Sequence, residues 1–219
     1  MSEITVEIWS DLVCPWCYIG KRRLTAALDG LGEAASGVQV VWRSYQLDPD
    51  APTAGDLTLP EYISRRQGVA PERVAEMLAS VSETAAGEGL EYQLARARPV
   101  NTFDAHRLVH HAAEEGLAAE VTERLMAAYT AEGVSLADHD ALAGLAAEAG
   151  LDGDRARETL AGDDHAAAVR SDAGTARRLR LTGVPSFVLG RRYAVVGAQP
   201  AAVLRDALTR ARQEALAES

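Results

Sequence analysis

Two cysteines, Cys14 and Cys17, are the only thiols in this 219-residue chain, and they stand three positions apart in the run Cys14-Pro15-Trp16-Cys17. At the start of a helix that spacing puts both sulfurs on one face, within reach of a disulfide of ordinary geometry. Cys14 would occupy the N-cap, where unsatisfied backbone N–H groups and the positive end of the helix dipole favour a thiolate. Pro15 suits the first helical position, having no N–H to leave unpaired. Cys17 lies one turn inside and is the better shielded. The asymmetry assigns roles: Cys14, the exposed nucleophile, attacks a disulfide or is attacked in the reverse direction, and Cys17 resolves the mixed disulfide. The competing readings are half of a zinc site and a pair of inert thiols. Structural zinc takes four nitrogen or sulfur ligands, and the chain has no second CxxC. His106, His110 and His111 lack the glutamate of an HExxH pattern, so no metal is expected there either.

The elements needed to hold such a pair can be read around it. Residues 3–9 alternate, with Ile4, Val6 and Ile8 on one face, as in a strand. A turn over 10–13 leads to a helix over 15–29, stopped by Gly30 and Gly32. Val38–Tyr45 alternates again, so the chain opens β-α-β, which demands a parallel pair with a helical crossover. Residues 48–58, rich in proline, aspartate and threonine, read as a loop and a boundary. From there to about 180 the pattern is helical. Pro60 and Pro71 suit first turns, Asn101 or Thr102 suits a cap, and helices are predicted over 103–115, 118–131, 138–149, 153–161 and 165–180. Ser186–Leu189 and Tyr193–Val196 form a predicted hairpin through Gly190-Arg191-Arg192, followed by an amphipathic helix over 201–216. The predicted organisation is one α/β domain from residues 1–58 and 181–219, with 59–180 inserted as a helical domain.

Other residues carry weaker signals. Pro185 follows Gly183-Val184 and precedes a short strand. Prolyl bonds are mostly trans, and a plain turn proline is the ordinary reading. A cis bond would instead present the Val184 backbone as an edge for peptide docking. Trp16, between the cysteines, is placed to touch substrate, whereas Trp9 and Trp42 sit in strands and are expected in the core. Arg170, Arg177, Arg178 and Arg180 suit either an acidic substrate or, the preferred reading, a solvated helix end with cations near its C-terminus.

Composition narrows the function classes. A formal net charge of −10 disfavours nucleic acid and anionic membranes as partners. The apolar runs are far shorter than the roughly 20 residues of a membrane span. The first residues lack the basic and apolar segments of a secretory signal, and a lone CxxC reads as redox chemistry rather than stapling, so a cytoplasmic setting is expected.

Nearly the whole chain resembles the DsbA family, and within it the FrnE-like branch near the 2-hydroxychromene-2-carboxylate isomerases. Asp11-Leu12-Val13-Cys14-Pro15-Trp16-Cys17-Tyr18-Ile19-Gly20 carries most of the resemblance. Asn101-Thr102-Phe103-Asp104-Ala105-His106-Arg107-Leu108 and Thr182-Gly183-Val184-Pro185-Ser186-Phe187 carry the rest. The resemblance implies an α/β thioredoxin-like fold with a large all-helical insertion, disulfide exchange through Cys14 and Cys17, and a cis peptide before Pro185. It also implies that Asn101 and His106 line the cleft above the cysteines, where the blander reading is a helix cap and a packed histidine. No cofactor is expected beyond glutathione as a candidate co-substrate. Partners are expected to be a disulfide-containing protein or a small thiol, with no prediction of oligomeric state. Two rival functions differ in what they need. A glutathione-dependent isomerase would not require Cys17, and a holdase would require neither cysteine. The presence of both favours the oxidoreductase.

Overall fold

The structure, a computed structural model, describes residues 4–217. Glu3, at the start of the first predicted strand, lies outside the described residues. Strand β1 (Ile4–Ser10) leads through a tight turn into helix α1 (Pro15–Asp29), then a 3-10 turn (Gly32–Gly37) and strand β2 (Val38–Ser44). Helices α2 (Leu59–Gln67), α3 (Pro71–Gly87), α4 (Phe103–Glu114), α5 (Ala118–Ala127), α6 (His139–Glu148), α7 (Gly153–Ala161) and α8 (Ala166–Arg178) follow. The chain closes with β3 (Ser186–Leu189), β4 (Tyr193–Val196) and α9 (Ala201–Ala217). The expected helix over 118–131 is broken: α5 stops at Ala127 and a single π turn, Ala128–Glu132, carries the chain into Gly133. Within that turn the Thr130 carbonyl accepts from Gln93 N–H, a long-range bond that the local pattern does not announce.

The four strands form one sheet in the order β2-β1-β3-β4. β1 and β2 run parallel, Ile4 opposite Val38 and Ser10 opposite Ser44, while β3 is antiparallel to both β1 and β4. Strands from the two ends of the sequence therefore share one sheet. One face is closed by α1 and α9, which bury Leu24, Ala27, Leu204 and Leu208 against Ile4, Val6, Ile8 and Phe187. On the other face Trp9 and Val188 pack against Ala176 of α8. Polar groups seal that face. The Trp9 indole N–H donates to the Asp172 carbonyl, and the Asp172 carboxylate accepts from Ser44 N–H at 2.9 Å and pairs with Arg43. Trp42, expected in the core, is only half-buried, with Lys21 Nζ 6.0 Å above its ring.

The largest apolar cluster belongs to the helical block, and Leu12, Cys14, Cys17, Tyr18 and Ile19 are part of it. The first turn of α1 thus packs into the insertion rather than onto the sheet. Glu123 of α5 fastens this joint by accepting from Tyr18, Lys21 and Arg22 of α1. Burial opposes the charged form of Glu123, but those three donors outweigh it and hold its pKa below the ordinary value; burial and the same contact push Tyr18 up to about 12. Among the described residues no helix is long and apolar enough to cross a membrane.

Candidate active site

Cys14 is the N-cap of α1, in extended conformation with φ −90° and ψ 114°, and Pro15 begins the helix. Its N–H donates to the Asp11 carbonyl at 3.1 Å, and its carbonyl accepts from Cys17 N–H at 3.0 Å. Both sulfurs are buried: Cys14 is 5% exposed and Cys17 1%. The expected ranking stands, but the expectation of an exposed nucleophile is corrected, because the helical block closes over the first turn. Trp16 is 42% exposed and presents its ring to solvent between them.

Cys17 is the more deeply committed thiol. Burial pushes its pKa well above the ordinary 9.0, and the adjacent Cys14 sulfur raises it further, against the opposing pull of the Ser10 hydroxyl and the Asp11 backbone. Tyr92 covers the same turn from the insertion, its hydroxyl donating to the Pro15 carbonyl at 2.7 Å and its ring 6.3 Å from Tyr18.

The Val184–Pro185 peptide is cis, and the Val184 carbonyl oxygen lies 4.0 Å from Cys14 Sγ. The two segments, 170 positions apart, thus meet at the reactive sulfur. Gly20, one turn beyond Cys17, makes the approach possible. A Cβ there would stand 2.7 Å from Pro185 Cγ and 3.3 Å from the Phe187 ring. Gly20 was part of the motif, but only the fold shows what it leaves room for.

Asn101 and His106 do not form the wall of the cleft. The Asn101 side chain accepts from Gln46 and from Phe103 N–H and donates to the Pro49 carbonyl at 2.7 Å. It stitches the loop after β2 to the start of α4. His106 is 3% exposed and lies behind that loop, Nε2 3.2 Å from the Tyr45 carbonyl and 3.5 Å from Asp11 Oδ1. The resemblance implied a place in the cleft lining, beside the reading of a helix cap and a packed histidine; packing places both residues one layer back, where they hold the loop that does line the cleft. His110 turns to Ser44 and Asp172, and His111 to Thr159, so the three histidines serve different partners. No cluster of metal-ligating side chains occurs among the described residues.

Beside Cys14 opens a cavity of about 320 Å³. Leu47, Ala51, Leu59, Tyr62, Val100 and Tyr129 supply its apolar lining. Asp11 reaches into it from the turn before Cys14, its side chain almost wholly buried and its Oδ2 accepting from Leu47 N–H at 2.7 Å. At the mouth Asp48 accepts from both Tyr62 and Arg66. Apart from Asp11, whose place just before the nucleophile was visible, these residues gave no sequence signal.

A thioredoxin-like sheet with a large helical insertion, bearing a CxxC at a helix N-cap against a cis-proline loop, defines a class of thiol-active proteins. The chain belongs to the DSBA-like thioredoxin domain family, whose model matches residues 5–209. It is 39% identical to the probable DsbA oxidoreductase SCO1869 from Streptomyces coelicolor, with a TM-score of 0.92 over 97% of this chain and 91% of that one. It is 26% identical to the uncharacterized protein YwbO of Bacillus subtilis over 85% of this chain and 87% of the relative. A 2-hydroxychromene-2-carboxylate isomerase shares the fold at 16% identity, with a TM-score of 0.70 over 98% and 99% of the two chains. Within that family fold the Cys14–Cys17 pair is in place at the start of α1.

Proposed function

We propose that this protein exchanges dithiols for disulfides on a protein or small-thiol substrate, with Cys14 as nucleophile and Cys17 as resolving thiol, within the FrnE-like branch of its family. One observation carries the reading. Cys14 Sγ sits at a helix N-cap, faces the Val184 carbonyl at 4.0 Å and adjoins an open cavity, while Cys17 is sealed one turn behind. In the reducing direction the Cys14 thiolate attacks one sulfur of the substrate and releases the other as a thiolate, which takes up a proton. The Cys17 thiol then gives up its proton and its sulfur attacks Cys14, expelling the second substrate thiol. Two electrons pass to the substrate, and a Cys14–Cys17 disulfide remains. Glutathione is the proposed reductant that restores it. Trp16, exposed between the cysteines, and the Val184-Pro185 edge are the proposed contacts for the incoming chain. A reducing, cytoplasmic setting suits a chain whose only two cysteines form the reactive pair.

Turnover of a model disulfide tests the assignment. Cys14→Ser should reduce it to background, and Cys17→Ser should accumulate a mixed disulfide visible by mass. Retained turnover in Cys14→Ser would overturn the mechanism. Full activity without Cys17 would favour the isomerase reading instead.

A further inference from the structure

A second depression lies on the far side of Leu47 from the cavity. It is a groove of about 590 Å³ with Tyr45, Leu47 and Leu181 on its apolar side and Arg170 and Arg177 of α8 opposite. It shares residues with the surroundings of the reactive centre. Leu47 lines both depressions, and Leu181 and Tyr45 pack in one small cluster with Val184, whose carbonyl faces Cys14 Sγ.

The arginines are arranged for planar anions. Arg170 holds its guanidinium carbon 5.2 Å from the Phe103 ring centre, a contact to the guanidinium face that does not use up its N–H donors. Arg177 stands seven residues on, roughly 10 Å along the helix, with the small residues Ala173 and Ala176 lining the groove between them. Neither arginine has an ion-pair partner among the described residues, although the chain carries 32 acidic residues against 22 basic. Arg43 and Arg124, by contrast, are each held by two carboxylates. An extended tripeptide spans at most about 10–11 Å, so one with a carboxylate near each end matches the helical rise between the two arginines.

We propose that this groove binds the two carboxylates of a tripeptide-sized thiol or its disulfide, through Arg170 and Arg177, and so delivers its sulfur to Cys14. The inference deepens the exchange reading above and rests on it for its purpose, but the binding can be tested without redox chemistry. S-methylglutathione, a two-carboxylate tripeptide with a blocked sulfur, serves as the probe in calorimetric titrations of the whole protein. Arg170→Glu/Arg177→Glu should weaken binding by about tenfold or more, since each charge-assisted contact contributes at that level. Raising ionic strength should weaken wild-type binding and leave the variant little changed. Arg170→Lys/Arg177→Lys should retain part of the affinity.

Kinetics separate the two claims. With the uncharged dithiol dithiothreitol as reductant, kcat/KM of the charge-reversed variant should fall for glutathione disulfide while that for the uncharged bis(2-hydroxyethyl) disulfide stays constant. A fall in both would overturn the groove assignment. So would unchanged binding of S-methylglutathione, or a variant impaired only toward an acidic protein disulfide. If wild-type protein bound S-methylglutathione through the arginines but turned over neither disulfide, the exchange reading would fall and the anion site would stand.

Discussion

The two flanks of Cys14 are built on opposite principles. On one side, the cavity under α2 is apolar, and the charges at its mouth are already spent on one another, Asp48 with Arg66 and Tyr62. On the other, the groove under α8 is lined by apolar residues and by two arginines that have no ion-pair partner among the described residues. Leu47 is the residue they share, and the Val184–Pro185 edge at Cys14 is the ridge beside it. A thiol group is small, so the discrimination between disulfides must come from what lies beside it. The cavity can select by shape and the groove by charge, and one nucleophile serves both.

The largest disturbance should come from moving the ridge itself. Gly20→Ala would push a methyl into the Pro185 and Phe187 rings, neither of which can bend away. Overpacking of this kind costs about 1–3 kcal/mol. Because the Val184 edge moves with Pro185, kcat/KM should fall for charged and uncharged disulfides alike. Urea unfolding and paired kinetics check this. A stable variant with normal turnover would show that the ridge is not held by the α1–Pro185 contact.

Filling one flank is more selective. Ala51 is buried and lines the cavity, so Ala51→Phe places a ring in open space rather than in packed core. Loss of a matched apolar pocket is worth about tenfold or more in specificity. The uncharged disulfide should lose that much kcat/KM, while S-methylglutathione affinity in the groove stays constant. Equal losses for both probes would mean that the flanks form one continuous site.

These contrasts also mark what could be read before the fold was known. Both strands of the hairpin and α1 fall where alternation, Pro15 and the cysteine spacing put them, because those signals are local. The N-cap position of Cys14 is local too, but its burial is not, since the helical block covers it, with Tyr92 bonded to the Pro15 carbonyl 77 positions away. Pro185 beside Cys14 came from resemblance alone; nothing in residues 182–187 states which surface they will meet. For Asn101 and His106 the sequence left two readings open, cleft lining or a helix cap and a packed histidine, and the contacts seen are amide-to-backbone bonding and a buried imidazole behind the loop. The flanks themselves are assembled from the loop after β2, from α2 or α8, and from Val100 and Tyr129, segments joined by no period.

Beneath both flanks lies Cys17, and pH reads its state. In the folded, reduced protein, burial keeps it a thiol well above pH 9.0, the value near which an unperturbed thiol ionises. The unfolded chain therefore loses this proton first. The stabilisation from the buried thiol is complete below that pH and is lost as pH climbs toward the folded value, by up to about 1.4 kcal/mol per unit. Urea unfolding at pH 8.5 and 9.5 should show reduced wild-type protein losing about 0.7 kcal/mol more than Cys17→Ser over that interval. Identical slopes would mean that Cys17 ionises in the fold as freely as in solution.

The smallest effect separates the two kinds of arginine. Arg66 is about half exposed, reaches Asp48 Oδ2 at 2.8 Å and lies 5.7 Å from the Tyr62 ring centre. An exposed pair of this sort contributes up to about 1 kcal/mol, and Arg66→Ala should cost less than that because Tyr62 still serves Asp48. Its effect on either disulfide should be slight, since its charge is already answered within the protein. The groove arginines predict the reverse: with no ion pair to lose among the described residues, and only the Arg170–Phe103 ring contact, Arg170→Ala and Arg177→Ala should shift the unfolding midpoint little and weaken the anionic probe most. Thermal unfolding and the same calorimetric titration on all three variants decide it. If Arg66→Ala weakened S-methylglutathione as much as the groove variants, charge selection would belong to both flanks, and the division of labour between shape and charge would fail.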